Sequence, residues 1–299
     1  MKIGFTLPQM GPLAHEAADV TRFAEEAERL GADSLWVGDR LLAPVNPTVG
    51  YGSGESIPEV FHSLLDPFAL MSVAAAVTER PLIGANVLNA PWYAPAPLAR
   101  SLTTIDKVSR GRLLPGFGTG WSPEEYEAAD VPMQQRGQRL DECLDALDAL
   151  WTDNPAEYRG EHWSVPATYT DIKPAQQPRP PVYLAGFAPP AMRRVASRAD
   201  GWLPVHVPES GPFDPATVNE PMSHIRGLAT EAGRDPAALG LIMRVYPMSK
   251  GNADDVVTPI LQAAEQTDVD HFFIEMMNVA NTVDESLEFA EQVLRRARG

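Results

Sequence analysis

The sequence predicts an α/β fold, specifically a (β/α)₈ TIM barrel with an insertion after the fourth helix. Two observations predict it: eight short apolar strands alternate with eight amphipathic helices, and no GxGxxG follows the first strand, where a dinucleotide-binding sheet would carry one. Parallel strands joined by helical crossovers close into a barrel, and a doubly wound open sheet is the alternative. Because no charge block or low-complexity stretch marks a linker, we expect residues 1–299 to form a single domain.

The first four strand and helix units follow from hydrophobic periodicity. In the first helix Phe23, Ala27 and Leu30 recur on one face, and Gly31 ends the helix. Asp66 and Pro67 begin the second helix through side-chain capping and a fixed φ. We predict strands over 2–7, 34–37, 82–88 and 112–118, and helices over 16–30, 67–80, 95–111 and 133–151.

The periodicity stops between Thr152 and Pro181. Six prolines and three aromatic residues in this stretch predict an extended excursion or a hairpin, which we interpret as an irregular insertion at about 152–181. Four further units follow it. We predict their strands over 182–185, 202–205, 241–248 and 271–276, and their helices near 189–199, 215–233, 253–267 and 284–298.

Composition excludes several classes of function. Lys and Arg number 24 against 40 Asp and Glu, so the net charge of −16 disfavours binding to nucleic acid or to a membrane surface. The N-terminal residues lack the basic and apolar regions of a signal peptide, and no apolar run approaches the roughly 20 residues that span a bilayer. The single cysteine, Cys143, lies on an apolar helix face. We therefore expect a cytoplasmic protein with a buried structural thiol.

The residues that follow each strand are the candidates for chemistry, because barrel enzymes build their active sites at the carboxyl ends of the strands. Here these positions are aromatic, methionine-rich and amide-bearing, which suits a flat heteroaromatic ligand better than a sugar phosphate. Gln9 follows the first strand and Trp202 begins the sixth, so both are pocket candidates. The six histidines show no HxH or HExxH spacing, and no GxSxG is present, so we expect neither a metal site nor covalent catalysis.

Five sequence blocks, in order along the chain, carry a resemblance to a known family. The sequence resembles the luciferase-like monooxygenase superfamily, in particular its actinobacterial branch of oxidoreductases that depend on coenzyme F420, a deazaflavin. That superfamily is a (β/α)₈ barrel with an insertion after the fourth helix, in agreement with the prediction above. The blocks are ADSLWVGDRLLAPVNP at 32–47, LLDPFALMSVAAAVTERPLIGANVLNAP at 64–91, LARSLTTIDKVSRGRLLPGFGTGWSPEEYEA at 98–128, VPMQQRGQRLDECLDALDALW at 131–151 and KPAQQPRPPVYLAGFAPPAMRRVASRADGWLPV at 173–205.

The resemblance implies a cofactor site and its residues. Asp39 would contact the deazaflavin near its reactive centre, and a non-proline cis peptide between Asn86 and Val87 would support the ring from behind. An ordinary loop cap, a plain core strand and a simple βα turn are the alternative interpretations of these positions. The implied cofactor-binding residues are Asp39, Asn86, Val87, Thr119, Gly120, Trp121, Gly186 and Phe187.

Two positions depart from the family pattern. Arg40 stands where related sugar-phosphate dehydrogenases have a catalytic histidine, and a guanidinium stays protonated and cannot act as a general base. Together with Asp39 it is our catalytic candidate, as a group that stabilises developing negative charge; a surface pair with Glu55 or Glu59 is the alternative. At the phosphate loop, Gly186 is followed by Phe187 instead of a second glycine, and Pro189 and Pro190 remove two backbone donors for a cofactor phosphate.

We therefore predict an oxidoreductase that transfers a hydride between F420 and a small organic substrate. An FMN-dependent monooxygenase on the same barrel is the first alternative, and a cofactor-free binding protein is the second. The glycine- and proline-rich loop at 45–63 is expected to cover the pocket. The resemblance also implies a homodimer formed through the second and third helices.

Overall fold

The main sheet of the computed structural model, which describes residues 1–52 and 54–299, is parallel and curled. Its strand order is β4-β6-β9-β10-β12-β13-β1-β2-β3-β5, with β11 beside β12, while β7 and β8 form a separate pair. The strands are β1 (Lys2–Thr6), β2 (Ser34–Val37), β3 (Leu82–Ala85), β4 (Leu88–Asn89), β5 (Leu113–Leu114), β6 (Gly116–Gly118), β7 (Ala156–Arg159), β8 (Ser164–Thr168), β9 (Tyr183–Leu184), β10 (Gly201–Trp202), β11 (Val205–His206), β12 (Gly240–Val245) and β13 (His271–Ile274).

Two of the predicted strands are interrupted, and the interruptions bring the ends of the sheet together. The cis peptide between Asn86 and Val87, at the predicted position, separates β3 from β4, and Pro115 separates β5 from β6. β3 pairs with β5 and β4 pairs with β6, so the two ends of the strand order lie beside one another. β1, β2, β3 and β5 lie side by side in chain order, as do β6, β9, β10, β12 and β13, and the last strand β13 pairs with the first, β1, unlike the doubly wound alternative. The prediction of an α/β fold with a parallel sheet is confirmed.

The helices follow the predicted positions closely, with two differences. The first α-helix begins at Val20 and not at Glu16, because Gly11–Asp19 forms 3₁₀ turns in which Glu16 has a non-helical backbone. A short helix, α4, was not predicted. The helices are α1 (Val20–Leu30), α2 (Pro67–Val77), α3 (Pro95–Val108), α4 (Pro123–Ala128), α5 (Arg136–Thr152), α6 (Pro189–Arg198), α7 (Ala216–Glu231), α8 (Ala253–Gln266) and α9 (Val283–Arg298).

Side-chain caps explain several helix ends. The Asp66 carboxylate accepts a hydrogen bond from the Ala69 amide at 2.8 Å, so α2 begins where the sequence indicates. At α8 the Asn252 and Asp255 side chains form a reciprocal capping box. None of the helices among residues 1–52 and 54–299 is long and apolar enough to cross a membrane.

The stretch at 152–181 carries the antiparallel pair β7 and β8, which stands apart from the main sheet. The Glu142 carboxylate of α5 fixes the turn between these strands, because it accepts hydrogen bonds from the amides of Glu161, His162 and Trp163. The structure thus contains the hairpin that was one of the two predicted forms of this stretch.

Large side chains fill the space enclosed by the curled sheet. Trp36 is fully buried and stacks on Phe273 with ring centroids 4.3 Å apart. Gly84 lies against the Trp36 indole, where a Cβ would come within 2.4 Å of the ring. This interior is a packed core, which leaves the strand ends as the place for a ligand.

Candidate active site

A cavity of about 320 Å³ lies at the carboxyl ends of the strands, within the size range of small-molecule sites. A larger groove of about 630 Å³ runs between α3 and the β7–β8 hairpin, but its walls are surface residues such as Tyr169, which is 82% exposed. We place the candidate site in the smaller cavity because the predicted residues gather there. Its lining comprises Met10, Gly38, Asp39, Arg40, Tyr51, Phe61, Asn86, Val87, Asn89, Gly118, Thr119, Gly120, Trp121, Glu125, Ala185, Gly186, Arg244 and Met277.

Most of the predicted site residues therefore meet at one cavity, although they are distant along the chain. They follow β2, the two segments of the third predicted strand, β6 and β9, whose carboxyl ends converge. The predicted residues on the wall are Asp39, Arg40, Asn86, Val87, Thr119, Gly120, Trp121 and Gly186.

Gln9, Trp202 and Phe187 lie behind or beside this wall instead. Gln9 is buried, and its side chain exchanges hydrogen bonds with the backbone of Gly38 at 2.7 and 2.8 Å, so it braces the end of β2. Trp202 is fully buried, and its Nε1 donates to the Gly186 carbonyl at 3.1 Å. Phe187 packs edge-on against Trp202 and is half exposed. Gln9 and Trp202 thus support the loops that line the cavity, and neither lines it.

Asp39 is held by a dense set of hydrogen bonds. Its carboxylate accepts from the Asn89 amide at 2.8 Å and from the Tyr93 hydroxyl at 3.0 Å. The Asn89 side chain in turn donates to the Asp39 backbone carbonyl at 2.8 Å. These contacts join the chain after β2 to the end of β4, because Asn89 is the last residue of β4 and Tyr93 follows the short turn after it. Asp39 is therefore a fixed group of the cavity wall and not a mobile surface carboxylate.

Burial changes the protonation of this group. Desolvation raises the pKa of Asp39 to about 7, although the hydrogen bonds from Asn89 and Tyr93 act in the opposite direction. The pKa of the Tyr93 hydroxyl is also raised, first by burial and then by the neighbouring Asp39 charge. Asp39 can consequently hold or release a proton near neutral pH, as a general acid or base requires.

Arg40 forms a buried ion pair with Glu125, so the alternative interpretation of a surface pair with Glu55 or Glu59 is wrong. Its Nε donates to Glu125 Oε1 at 3.0 Å, and the two side chains are 7% and 1% exposed. Glu125 also accepts from the Leu41 amide at 2.7 Å, which ties the chain after β2 to α4. The physical reason is the burial of the Arg40 side chain, because an unpaired buried guanidinium would be costly.

Aromatic rings enclose the Arg40 guanidinium. Its central carbon lies 4.5 Å from the Trp121 ring centroid and 4.7 Å from that of Phe61. Tyr51 packs against both of these rings: its ring centroid lies 5.5 Å from that of Trp121 and 4.9 Å from that of Phe61. Cation–π contacts and burial therefore hold Arg40 in one orientation. Since Tyr51 and Phe61 belong to the loop at 45–63, part of this loop does lie over the cavity.

A second buried ion pair, absent from the predicted site, belongs to the opposite wall. Arg244 of β12 donates through Nη2 to Glu275 Oε2 at 2.6 Å, and Glu275 also accepts from the Thr6 hydroxyl at 2.8 Å. The Arg244 guanidinium lies 4.1 Å from the Tyr246 ring centroid. An arginine inside the otherwise apolar strand LIMRV was the available sequence signal, because such a charge needs a buried partner.

Glycines keep the wall thin beside the cis peptide. A Cβ on Gly118 would lie 2.5 Å from the Val87 Cγ2 atom. Gly120 has a positive φ of 62°, and a Cβ there would meet the Asn89 side chain at 3.0 Å. Glycine at these two positions therefore lets the chain after β6 pack closely against Val87 and Asn89, which also line the cavity. Across the described ranges 1–52 and 54–299, no three His, Cys, Asp or Glu side chains are grouped so as to hold a metal ion.

Comparison with known proteins assigns the family. The family model described as luciferase-like monooxygenase matches residues 1–298. The chain belongs to this family. An uncharacterized protein of Mycobacterium tuberculosis is 30% identical over 71% of this chain and 71% of its own length. The phthiodiolone/phenolphthiodiolone dimycocerosates ketoreductase of the same species is 28% identical, over 76% of this chain and 60% of that protein.

Solved structures share the fold of this luciferase-like protein. A monooxygenase from Streptomyces bottropensis superposes with a TM-score of 0.78 at 19% identity, over 99% of this chain and 98% of its own. An F420-dependent secondary alcohol dehydrogenase, solved in complex with an F420–acetone adduct, has a TM-score of 0.75 at 17% identity, over 100% of this chain and 99% of that one. At these identities the likeness concerns the fold alone.

Proposed function

We propose that this luciferase-like protein is an oxidoreductase that transfers a hydride between F420 and a small organic carbonyl or alcohol. The observation that carries the proposal is the gathering of the predicted cofactor residues on one cavity wall that also contains the buried groups Asp39 and Arg40. A ketoreductase among the relatives and an F420-dependent alcohol dehydrogenase among the structural neighbours support it. The proposal includes closure of the sheet into a (β/α)₈ barrel, a single domain and a cytoplasmic location.

The residues present fit a tricyclic cofactor. Gly118 and Gly120 line the cavity without side chains and pack closely on Val87 and Asn89, and Trp121 offers a flat apolar ring. The Nη1 atom of Arg40 is buried and, within the described part of the chain, lacks a hydrogen-bond acceptor, so an oxygen of a bound molecule would satisfy it. When bound, F420 would supply or accept the hydride.

The chain's own residues would orient and stabilise the reacting groups. Arg40 would donate a hydrogen bond to the substrate oxygen that gains negative charge during reduction, and Glu125 would keep its guanidinium in place. Asp39 would hold a proton near neutral pH, because burial raises its pKa to about 7. The aromatic cover of Tyr51 and Phe61 would exclude water from the reacting atoms.

A parallel titration with F420 and FMN, followed by the fluorescence of the cofactor ring, tests the assignment. We expect F420 to bind and the Asp39→Asn variant to lose activity by about a hundred-fold, the lower range for a lost acid or base. Asp148→Asn is the matched control, because Asp148 lies on the outer side of α5 in a half-exposed ion pair with Arg179. If neither cofactor binds at concentrations in the micromolar range, the proposal is refuted and a cofactor-free binding protein is favoured.

An FMN-dependent monooxygenase is the second candidate, favoured by the monooxygenase among the structural neighbours. Oxygen consumption with supplied reduced FMN separates it from the first candidate. Deazaflavins react poorly with oxygen, so rapid oxygen uptake would select the flavin function. We also propose a homodimer formed through α2 and α3.

A further inference from the structure

Two arginine–glutamate pairs face the cavity from different elements, and they are arranged differently. Arg40 follows β2 and pairs with Glu125 of α4, and both side chains line the cavity. Arg244 belongs to β12 and also lines the cavity, whereas its partner Glu275 is outside the described lining residues. On the β12 wall a cation therefore faces the cavity while its counterion lies behind it.

Each guanidinium keeps one buried nitrogen free. Among the described residues, Arg40 Nη1 and Arg244 Nε are buried atoms without a hydrogen-bond acceptor. Arg40 uses Nε for Glu125 and Nη2 for the Leu42 carbonyl, and Arg244 uses Nη2 for Glu275. A buried donor without an acceptor is unfavourable, so these two atoms indicate where oxygen atoms of a ligand belong.

Aromatic rings connect the two cations into one site. The Tyr51 ring contacts Trp121 and Phe61, which flank Arg40, and its centroid lies 6.4 Å from that of Tyr246. Tyr246 in turn carries the Arg244 guanidinium 4.1 Å above its ring. A ligand between the arginines would thus rest against apolar ring faces and present oxygen atoms at its two ends.

We propose that the substrate is a small organic acid, an oxo acid or hydroxy acid, whose carboxylate binds Arg244 while its reacting oxygen binds Arg40. This inference rests on the proposed function. A planar guanidinium that is always charged matches a carboxylate in both geometry and charge. Glu275 takes only the Nη2 atom of Arg244 and also accepts from Thr6, so the Nε atom of Arg244 keeps no acceptor within the described residues.

The reduction is balanced by the proposed cofactor. A hydride would carry two electrons to the carbonyl carbon, the π pair of the C=O bond would move to the oxygen beside Arg40, and that oxygen would take one proton from the Asp39 carboxyl group on the same cavity wall. The oxo acid becomes a hydroxy acid, and reduced F420 is the reductant that is oxidised. The carboxylate at Arg244 is unchanged and serves only to position the substrate.

Calorimetric titration of acids against their methyl esters tests the subsite. The probes are pyruvate with methyl pyruvate and benzoylformate with methyl benzoylformate, each titrated into the protein with and without F420. We expect at least one acid to bind about ten-fold or more tightly than its ester. Equal affinity within both pairs, or no acid binding at about 10 mM, would overturn the proposal.

Variants assign the preference to Arg244. In the Arg244→Met/Glu275→Gln double variant both buried charges are removed, and we expect acid and ester to bind equally while ester affinity is retained. The control is Arg226→Met/Asp268→Asn, which removes a partly exposed pair between α7 and the segment after α8 and should keep the acid preference. Arg244→Lys is the second variant in case the double variant does not fold; it keeps the charge but loses the planar fork, and the acid preference should fall several-fold. A preference that survives both variants refutes the role of Arg244.

The outcome is separable from that of the proposed function. A protein that prefers the acids but binds neither F420 nor FMN keeps the subsite and loses the hydride-transfer function. A protein that binds F420 and reduces uncharged ketones as readily as oxo acids keeps the function and loses the subsite.

Discussion

The protonation of Asp39 affects folding stability in a way that can be measured. Its pKa is raised from 3.8 to about 7, mainly by burial, so the folded state keeps the proton to a higher pH than the unfolded state. Its contribution to the free energy of unfolding therefore falls as pH rises from about 4 to about 7, by at most about 1.4 kcal/mol per pH unit. We expect Asp39→Asn to gain stability relative to the wild type over this interval and to show a constant difference above it.

Urea unfolding of both proteins at several pH values checks this. The two proteins must be compared because His271 titrates in the opposite sense. Burial lowers the pKa of His271 to about 3, so its contribution to the free energy of unfolding is lost as pH falls below the pKa of histidine in the unfolded chain. His271 is common to both proteins and cancels in the difference. A stability difference that does not change between pH 4 and pH 7 would contradict the raised pKa of Asp39.

The two charges of the buried Arg40–Glu125 pair are expected to be energetically coupled. Because both side chains are buried, removing either one leaves an uncompensated charge. We expect Arg40→Met and Glu125→Leu each to reduce the free energy of unfolding by about 3 kcal/mol, and the double variant to lose clearly less than the sum. The matched control is the exposed pair Arg159–Glu157, for which the same cycle should give a coupling of about 0.5 kcal/mol or less. Additive losses at Arg40 and Glu125 would show that the buried pair is not coupled.

Site residues that follow a strand could be predicted from the sequence. Site residues that enter the cavity from a helix could not. Asp39, Asn86 and Gly186 sit directly after or within strand ends, so the barrel pattern alone brings them together. Glu125 lies on a helix that periodicity did not reveal, and it reaches Arg40 only because the intervening chain folds back. Long-range pairing of this kind depends on the loop path, which no local pattern encodes.

At the scale of elements, Gly84 tests how tightly the sheet encloses its core. A Cβ at this position would lie 2.4 Å from the Trp36 indole, and Trp36 is fixed by its stack on Phe273. We expect Gly84→Ala to lower the free energy of unfolding by about 2 kcal/mol through overpacking. Gly227→Ala is the control on exposed helix α7, where nothing lies within 4 Å of the new Cβ, and it should raise stability by about 0.5 kcal/mol. Thermal and urea unfolding compare the two variants, and equal effects would show that the core can relax around a methyl group.

Element boundaries were predictable where one chemical rule fixes them. The helices expected at 253–267 and 284–298 begin and end within one residue of the observed α8 and α9. Capping side chains mark where both helices begin. The strands expected at 82–88 and 112–118 are each split in two. These interruptions lie where β3 pairs with β5 and β4 pairs with β6, a long-range pairing that neither segment encodes by itself.

At the scale of the whole molecule, the net charge of −16 and the composition of α2 bear on assembly. A strongly acidic surface opposes self-association, so a dimer needs a surface with few charges. α2 offers one: Ala69, Ser72 and Ala76 are exposed on a helix that contains no charged residue. Small side chains allow close approach of a second copy around a two-fold axis.

We therefore expect a homodimer whose interface includes α2, and a single charge there should disrupt it. In a two-fold interface Ser72→Glu places two like charges near each other, so light scattering with size-exclusion chromatography should change from dimer to monomer mass. Ser223→Glu on α7 makes the same change at another exposed serine and should leave the mass unchanged. Circular dichroism verifies that both variants stay folded. A monomeric wild type would refute the dimer, and a Ser72→Glu protein that remains dimeric would place the interface away from α2.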